Sequence, residues 1–181
     1  MLEICNRFKD RIIFQGVAPS LAALVEEAVA LGVDLSESKL VGISFARAKL
    51  KGAKLALADL TGSNLAGADL TDAWLPGAVL VSADLYGACL RQCNLSGANL
   101  SDSNLSRADL AYARLTMADL SEANLTNANL FGANLTGANL FETILEGVNL
   151  TGANLDGASL VGTRFSGANL EWVKGIDKDR E

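Results

Sequence analysis

The side chains able to do chemistry in this chain are mainly serine, threonine, cysteine and the acids, because the sequence contains no histidine. Histidine is the usual general base and proton shuttle and the commonest metal ligand. Without it, a serine or cysteine nucleophile would need a lysine as its base. Between residues 33 and 172 the lysines all lie in residues 39–54, far in sequence from Cys89 and Cys93. We therefore predict a non-enzyme with no cofactor and no metal.

The three cysteines, Cys5, Cys89 and Cys93, are too few and too scattered for a disulfide framework. The charged N-terminus has no apolar core like that of a signal peptide, and the longest apolar stretch, residues 21–33, is interrupted by two glutamates. We therefore expect reduced thiols, a cytoplasmic location and no membrane contact.

The length and the net charge of the chain limit which classes of function remain. The 181 residues suit one domain. A net charge of −6 and a pI near 4.7 oppose contact with phosphates, so no direct nucleic-acid binding is expected.

A five-residue repeat organises the chain. From Leu35 to Leu170, 28 consecutive positions at intervals of five carry leucine, except for Phe45 and Phe165. We call this position the centre. Alanine stands two places before it in 19 units, Asp or Asn immediately before it in 17, and glycine two places after it in 14.

This period fits neither an α-helix nor a flat strand, since both would leave half of the leucines in water. In an extended segment, however, the centre and the residue two before it share one side, and the residue between them points outward. If the next two residues form a fixed corner, every leucine faces inward. Cys93 then replaces an inward alanine as a small buried side chain, whereas Cys89 points outward and is at most a modifiable thiol.

Glycine at the corner indicates a type II turn, whose second central residue needs a positive φ. Leu75-Pro76-Gly77-Ala78 has the sequence that such a turn prefers. We expect other turn types at corners without glycine, such as Glu37, Arg47, Gln92 and Tyr112.

Units such as Ala-Asp-Leu-Thr at 68–71, Ala-Asn-Leu-Thr-Gly at 133–137 and Ala-Asn-Leu-Asp-Gly at 153–157 resemble the pentapeptide-repeat family. The resemblance covers residues 33–172. It implies an all-β solenoid, a right-handed quadrilateral β-helix with four units per coil and hence about seven coils.

Residues 1–32 lack the period. Residues 11–14 predict a short strand, which could extend the first coil. A helix of about three turns is predicted after Ser20, closed by Gly32, with the apolar stripe Leu21, Leu24, Val25, Ala28 and Leu31. We expect a cap over the open edge of the first coil, with partner binding as the alternative.

Charge is unevenly distributed along the repeats. Residues 39–54 contain five cations and no acid, whereas residues 55–172 contain twelve acids and four arginines, a net charge of −8. With four units per coil, one face of three successive coils carries the candidate interaction surface: Asp102, Asp119, Glu122 and Glu142.

Two interpretations of this acidic face remain open. Outward positions of a rod must be polar, so the acids could serve solubility alone. Alternatively, an anionic rod can imitate a DNA duplex and occupy a cationic groove. The family resemblance adds that some members bind DNA gyrase or topoisomerase IV in this way and protect it from quinolones. Those members have a mixed Leu/Phe centre and projecting loops, which this sequence lacks.

The sequence thus predicts a structural or protein-interaction module with an unknown protein partner. Six large apolar residues occupy outward slots where such a partner could sit, with scattered surface hydrophobes as the alternative: Leu57, Trp74, Tyr86, Tyr112, Phe131 and Phe141.

The C-terminal end, a short charged tail at residues 173–181, offers little to cover the last coil. Only Trp172, Val173 and Ile176 are apolar enough to lie across it. They could close a monomer, or they could pack against the same surface of a second chain. Because members of the family often dimerise through this end, we favour a homodimer.

Overall fold

The computed structural model describes residues 1–9 and 11–176. The N-terminal part contains strand β1 (Leu2–Cys5), strand β2 (Ile12–Gly16) and helix α1 (Leu21–Ala30). β1 and β2 pair antiparallel, from Leu2↔Gly16 to Cys5↔Ile12. The predicted strand at residues 11–14 is thus β2, but it pairs with β1 and does not itself extend the first coil.

The end of β1 makes the contact with the first coil instead. Asn6 bridges to Ser38 in antiparallel orientation, and the backbone N–H of Lys39 donates to the carbonyl oxygen of Cys5 at 2.8 Å. β1 was missed in the sequence because four residues with two outward polar side chains carry too weak a pattern.

Helix α1 begins where the sequence predicts. The Ser20 side chain caps it by accepting a hydrogen bond from the backbone N–H of Ala23 at 3.1 Å. Leu24, Val25 and Ala28 are buried in the same core cluster as the repeat leucines. Leu31, expected in the apolar stripe, is instead exposed, because the helix has already ended and this residue is its C-cap.

The repeat folds as a stack of parallel bridges. The residue before each centre bridges to the residue 20 positions on, beginning with Asp34↔Lys54 and ending with Asn154↔Lys174. Asp69 illustrates the ladder: its carbonyl oxygen accepts from Leu50 N–H at 2.8 Å, and its own N–H donates to the carbonyl oxygen of Ala48 at 3.0 Å. One turn of the stack is therefore four units, and the bridges form four ladders.

The centres fill the axis of the stack. Every centre from Leu35 to Leu155 is buried, and so are most residues two places before a centre, as predicted. Leu160, Phe165 and Leu170 are only partly buried, because no later coil covers them.

All corners have the same backbone conformation, so the expectation of other turn types at Glu37, Arg47, Gln92 and Tyr112 was wrong. Every corner residue from Glu37 to Trp172 has φ between +53° and +74°, whether or not it is glycine. The N–H after the corner donates to the centre's carbonyl oxygen, at 3.1 Å for Ala78 to Leu75 and at 3.2 Å for Cys93 to Leu90. The ladders before and after each corner fix the positions at which the chain leaves one face and enters the next. The corner residue therefore adopts the same positive φ whether or not it is glycine.

Candidate interaction surfaces

The Asp and Asn residues before the centres have a structural role. Their side-chain oxygen accepts the N–H of the residue after the centre, for example from Thr71 to Asp69 at 3.0 Å. Hydrogen bonds from Thr71 hold the pKa of the Asp69 carboxyl below its usual value. Asn side chains also link successive coils, as Asn129 does to Asp109 at 2.9 Å. The regular spacing of Asp and Asn before the centres is therefore explained by these hydrogen bonds within the fold. A partner would be contacted mainly by the acids at other positions.

Three of the four predicted acidic residues form one column. Asp102, Glu122 and Glu142 are exposed corner residues 20 positions apart, with φ of +57°, +59° and +53°. The two ion pairs among the described residues, Arg7–Asp59 and Arg91–Asp109, include none of the three. We call these three residues the acidic column.

Asp119 lies beside this column but has a different environment. It is half-buried in a ladder, and its Oδ1 accepts hydrogen bonds from Ser121 N at 3.0 Å, Ser121 Oγ at 2.7 Å and Asn139 Nδ2 at 2.9 Å. Asp119 is therefore largely occupied by the fold.

The cations of residues 39–54 do not form a patch. Lys39, Lys49 and Lys54 lie in three different ladders, where they bridge to Asp59, Asp69 and Trp74 respectively. Arg47 and Lys51 lie in two different corners. All five side chains are exposed. Together they form a basic belt around one end of the stack.

The outward apolar residues named above are all exposed, by between 37% and 51%. Two of them touch: the rings of Tyr112 and Phe131 meet edge to face with centroids 5.3 Å apart. The guanidinium of Arg107 lies 5.9 Å from the ring centroid of Tyr86. The aromatics are thus spread over several corners and, at Trp74, one ladder.

The two repeat cysteines differ as predicted. Cys93 is fully buried, its thiol donates to the carbonyl oxygen of Leu70 at 2.8 Å, and burial raises its pKa to about 12. Cys89 is partly exposed, with its sulfur 3.1 Å from the hydroxyl oxygen of Thr71.

At the C-terminal end the three predicted residues are separated. Val173 is buried as the inward residue of a further unit, and Ile176 packs partly buried against the core. Trp172 is 76% exposed at a corner. The repeat stops because Gly175 stands where the next centre would be, and its Cα hydrogens face the Leu155–Asp156 backbone. The charged residues 177–181 lie outside the described part of the chain.

Residues 1–9 and 11–176 contain no cluster of three His, Cys, Asp or Glu side chains suited to a metal ion. Within the same ranges, no helix is long and apolar enough to cross a bilayer.

Sequence reasoning missed a row of outward residues in the ladder that begins with Asp34, which contains no further acid up to Asn154: Lys54, Trp74, Asn94, Arg114, Asn134 and Asn154. The signal was available, because these residues are spaced by 20. It was overlooked because charge was counted along the chain and not ladder by ladder.

The repeat pattern and the stacking define a class of protein, the β-helical solenoids. The family model of pentapeptide repeats matches residues 32–67, 63–102, 103–140 and 133–171, so the chain belongs to the pentapeptide-repeat family.

The solved structures that are similar to this chain include the following three. HetL from Nostoc sp. strain PCC 7120, involved in heterocyst differentiation regulation, is 28% identical, with 83% of this chain and 93% of that chain covered and a TM-score of 0.29. Rfr23 from the cyanobacterium Cyanothece 51142 is 27% identical, with coverage of 86% and 95% and a TM-score of 0.43. QnrB1, a plasmid-mediated fluoroquinolone resistance protein, is 26% identical, with coverage of 72% and 71% and a TM-score of 0.29. No curated protein matches the chain.

Proposed function

We propose that this chain is a non-enzymatic interaction module, a right-handed quadrilateral β-helix of about seven coils that presents a rigid, mostly anionic surface to a protein partner. The proposal depends chiefly on the acidic column. Asp102 and Glu122 are each anchored by a backbone N–H that donates to the coil above, at 3.0 Å to Ser121 and at 2.9 Å to Phe141. Like charges are thereby held one coil apart, at about 4.8 Å.

Such a column is a cost to the folded state, because like charges on neighbouring strands repel each other. A cationic partner surface would relieve that repulsion. A rigid support also favours binding, since the side chains are positioned by the stack and little order has to be gained on association. This argument distinguishes the column from Asp119 and Asp69, whose oxygens already accept hydrogen bonds within the fold.

The N-terminal segment supplies the cap in this account. Val33 N–H donates to the carbonyl oxygen of Ala28 at 2.9 Å, and Glu26 accepts from the backbone N–H of Lys49 at 2.7 Å. These bonds join α1 to the first coils, which supports its role in covering an edge that would otherwise pair with other chains.

The test is affinity capture of proteins from cell lysate on the intact chain at low and high salt. We expect a protein that is retained at low salt, is released by high salt, and is lost with the triple variant Asp102→Asn/Glu122→Gln/Glu142→Gln. The matched control, Asp72→Asn/Asp156→Asn/Glu171→Gln, removes three exposed acids elsewhere and should retain the protein. Equal loss from both variants, or no specific capture, would contradict a role for the column.

The alternative function is mimicry of DNA toward gyrase or topoisomerase, with protection against quinolones. The acidic column favours it, whereas the uniform leucine centres and the uninterrupted repeat oppose it. We expect no gyrase inhibition or rescue in a supercoiling assay. Inhibition or rescue by micromolar protein, lost with the triple column variant, would establish the alternative.

We further propose a two-fold homodimer through the C-terminal end. The partly buried Leu160, Phe165 and Leu170 and the exposed Trp172 support it, because a self-complementary contact would cover them without leaving a new edge. Light scattering should give a dimer for the intact chain and a monomer for Trp172→Asp. A monomer at high micromolar concentration would refute the dimer. The free cysteines agree with the cytoplasmic location, which stays a prediction.

A further inference from the structure

One ladder of the stack differs in charge from the other three. Bridges connect Lys54, Trp74, Asn94, Arg114, Asn134 and Asn154 in that order. The same ladder begins one coil earlier with the exposed Asp34, which bridges to Lys54. From Lys54 to Asn154 no outward residue in this row is acidic, whereas each of the other ladders contains at least one aspartate over the same span: Asp59 and Asp119, Asp84, and Asp69 and Asp109. We call this row, with the exposed corner residues Leu57 and Met117 beside it, the donor face.

The side-chain oxygens of the donor-face asparagines already accept hydrogen bonds within the fold. The Oδ1 atoms of Asn94, Asn134 and Asn154 accept the backbone N–H groups of Ser96, Thr136 and Asp156, each at 3.0 Å. In the ladder, Asn94 follows Trp74 and Asn134 follows Arg114. The Trp and Arg side chains have no acceptor atom, so they cannot bind the amide N–H groups of the asparagine that follows.

Between Lys54 and Asn154 the donor face therefore offers cations and N–H donors to a ligand, while the exposed carboxylates of Asp34, Asp72 and Asp156 lie at its edges. Lys54, Arg114 and Asn134 are exposed and Asn94 is buried, and within the described ranges neither ion pair includes Lys54 or Arg114. Charged N–H donors match carboxylate oxygens best.

Apolar side chains lie among these donors. Leu57, Trp74 and Met117 are exposed by 44%, 50% and 69%. Lys54 and Arg114 stand three coils apart, about 14 Å. An extended peptide of about four residues spans that distance, so carboxylates at its ends would reach both cations while an apolar residue between them meets Trp74.

We propose that the donor face binds an acidic segment of a partner protein, with Lys54 and Arg114 contacting its carboxylates and Leu57, Trp74 and Met117 contacting apolar residues between them. A nucleic acid fits less well: two cations are few for a phosphate chain, and the net charge of −8 on residues 55–172 repels a long polyanion. The inference rests on the proposed role as an interaction module but uses a surface separate from the acidic column.

Trp74 reports on this face directly, because the chain has two tryptophans and Trp172→Phe leaves Trp74 alone. The intact chain with that substitution is titrated with a synthetic twelve-residue peptide of alternating glutamate and leucine pairs while Trp74 fluorescence is recorded. The control peptide carries glutamine in place of glutamate. We expect saturable binding of the glutamate peptide alone.

Charge reversal then locates the site. Lys54→Glu/Arg114→Glu should weaken binding about tenfold, whereas the matched control Arg107→Glu/Arg164→Glu, with the same change in net charge on other parts of the stack, should bind as the parent does. Lys54→Ala/Arg114→Ala, which introduces no repulsion, should give an intermediate affinity.

Three results would overturn the proposal: no saturable signal from the glutamate peptide, equal weakening by both charge reversals, or tighter binding of a single-stranded DNA twelve-mer through the same two cations. The triple variant of the acidic column distinguishes this peptide titration from the affinity capture described above. That variant should lose the captured protein but should bind the peptide as well as, or more tightly than, the parent. Failure of the peptide experiment would leave the salt-sensitive capture by the acidic column unaffected.

Discussion

The side chain of Leu57 lies over Gly77, the corner residue one coil further along. A Cβ atom built on Gly77 would stand 2.7 Å from Leu57 Cδ2, whereas a Cβ on Gly97, one coil beyond, would meet nothing within 4 Å. Some large corner residues are thus accommodated by a glycine in the next coil, as Tyr112 is by Gly132, whereas the corner residue one coil after Gln92 is Tyr112.

This relationship predicts different losses of stability for two glycine substitutions at corners with the same positive φ. Gly97→Ala should destabilise the fold by about 1–2 kcal/mol, because φ is +65° there and a Cβ is unfavourable in the left-handed region. Gly77→Ala, with φ of +64°, should cost more, since it must also displace Leu57. Urea unfolding measures both. The excess should shrink in a Leu57→Ala background; an unchanged excess would show that Leu57 is not its cause.

Glycine should stabilise corners where a long side chain now stands. Gln92 has φ of +58° and is exposed, so Gln92→Gly relieves a strain of about 1–2 kcal/mol. Glycine loses about 0.5–1 kcal/mol more backbone entropy, which leaves a net gain of about 0.5–1 kcal/mol. Asn127→Gly is the control and should change stability little, because asparagine tolerates this conformation. A loss of stability in Gln92→Gly would refute the imposed-corner account.

Two buried hydroxyl groups predict another substitution that should stabilise the fold. Among the described residues, Ser38 Oγ and Ser63 Oγ are buried without a hydrogen-bond partner. Ser63→Ala should stabilise by about 1 kcal/mol, because an unpaired buried polar group costs about 1–3 kcal/mol. Ser103, the inward residue two coils on in the same column, donates to the carbonyl oxygen of Leu100 at 2.6 Å, so Ser103→Ala should be destabilising. Equal effects of the two substitutions in thermal unfolding would contradict this distinction.

Burial of the Cys93 thiol predicts a dependence of stability on alkaline pH. Its pKa is about 12 in the folded chain, against about 8.5 for an unfolded cysteine. Above pH 8.5 the unfolded chain therefore binds fewer protons than the folded one, and stability falls as pH rises. The free energy of unfolding, measured from pH 7 to 10 with Cys5 and Cys89 replaced by serine, should show this fall, and Cys93→Ala should reduce it. Identical profiles would contradict the assignment, as would modification of Cys93 by a thiol reagent in the folded state.

The sequence was sufficient for features that depend on one unit. Leu75–Ala78 carries its own turn signal, and Cys93 could be assigned to the core because it stands at an inward alanine position. Gln92 could not be assigned in this way, since its conformation is imposed by the ladders on either side. The donor face also needed the structure: Lys54 and Arg114 are 60 residues apart, and their shared row emerges only with the 20-residue interval.

The account depends above all on that interval, and distances between spin labels test it most directly. In a chain without cysteines, labels at 72 and 172 lie in the same corner column five coils apart, and labels at 92 and 172 lie four coils apart. Samples diluted with unlabelled chain suppress distances between molecules. At about 4.8 Å per coil we expect separations of about 24 Å and 19 Å, which differ by one coil. Two equal separations, or a difference far from one coil spacing, would contradict the 20-residue stack.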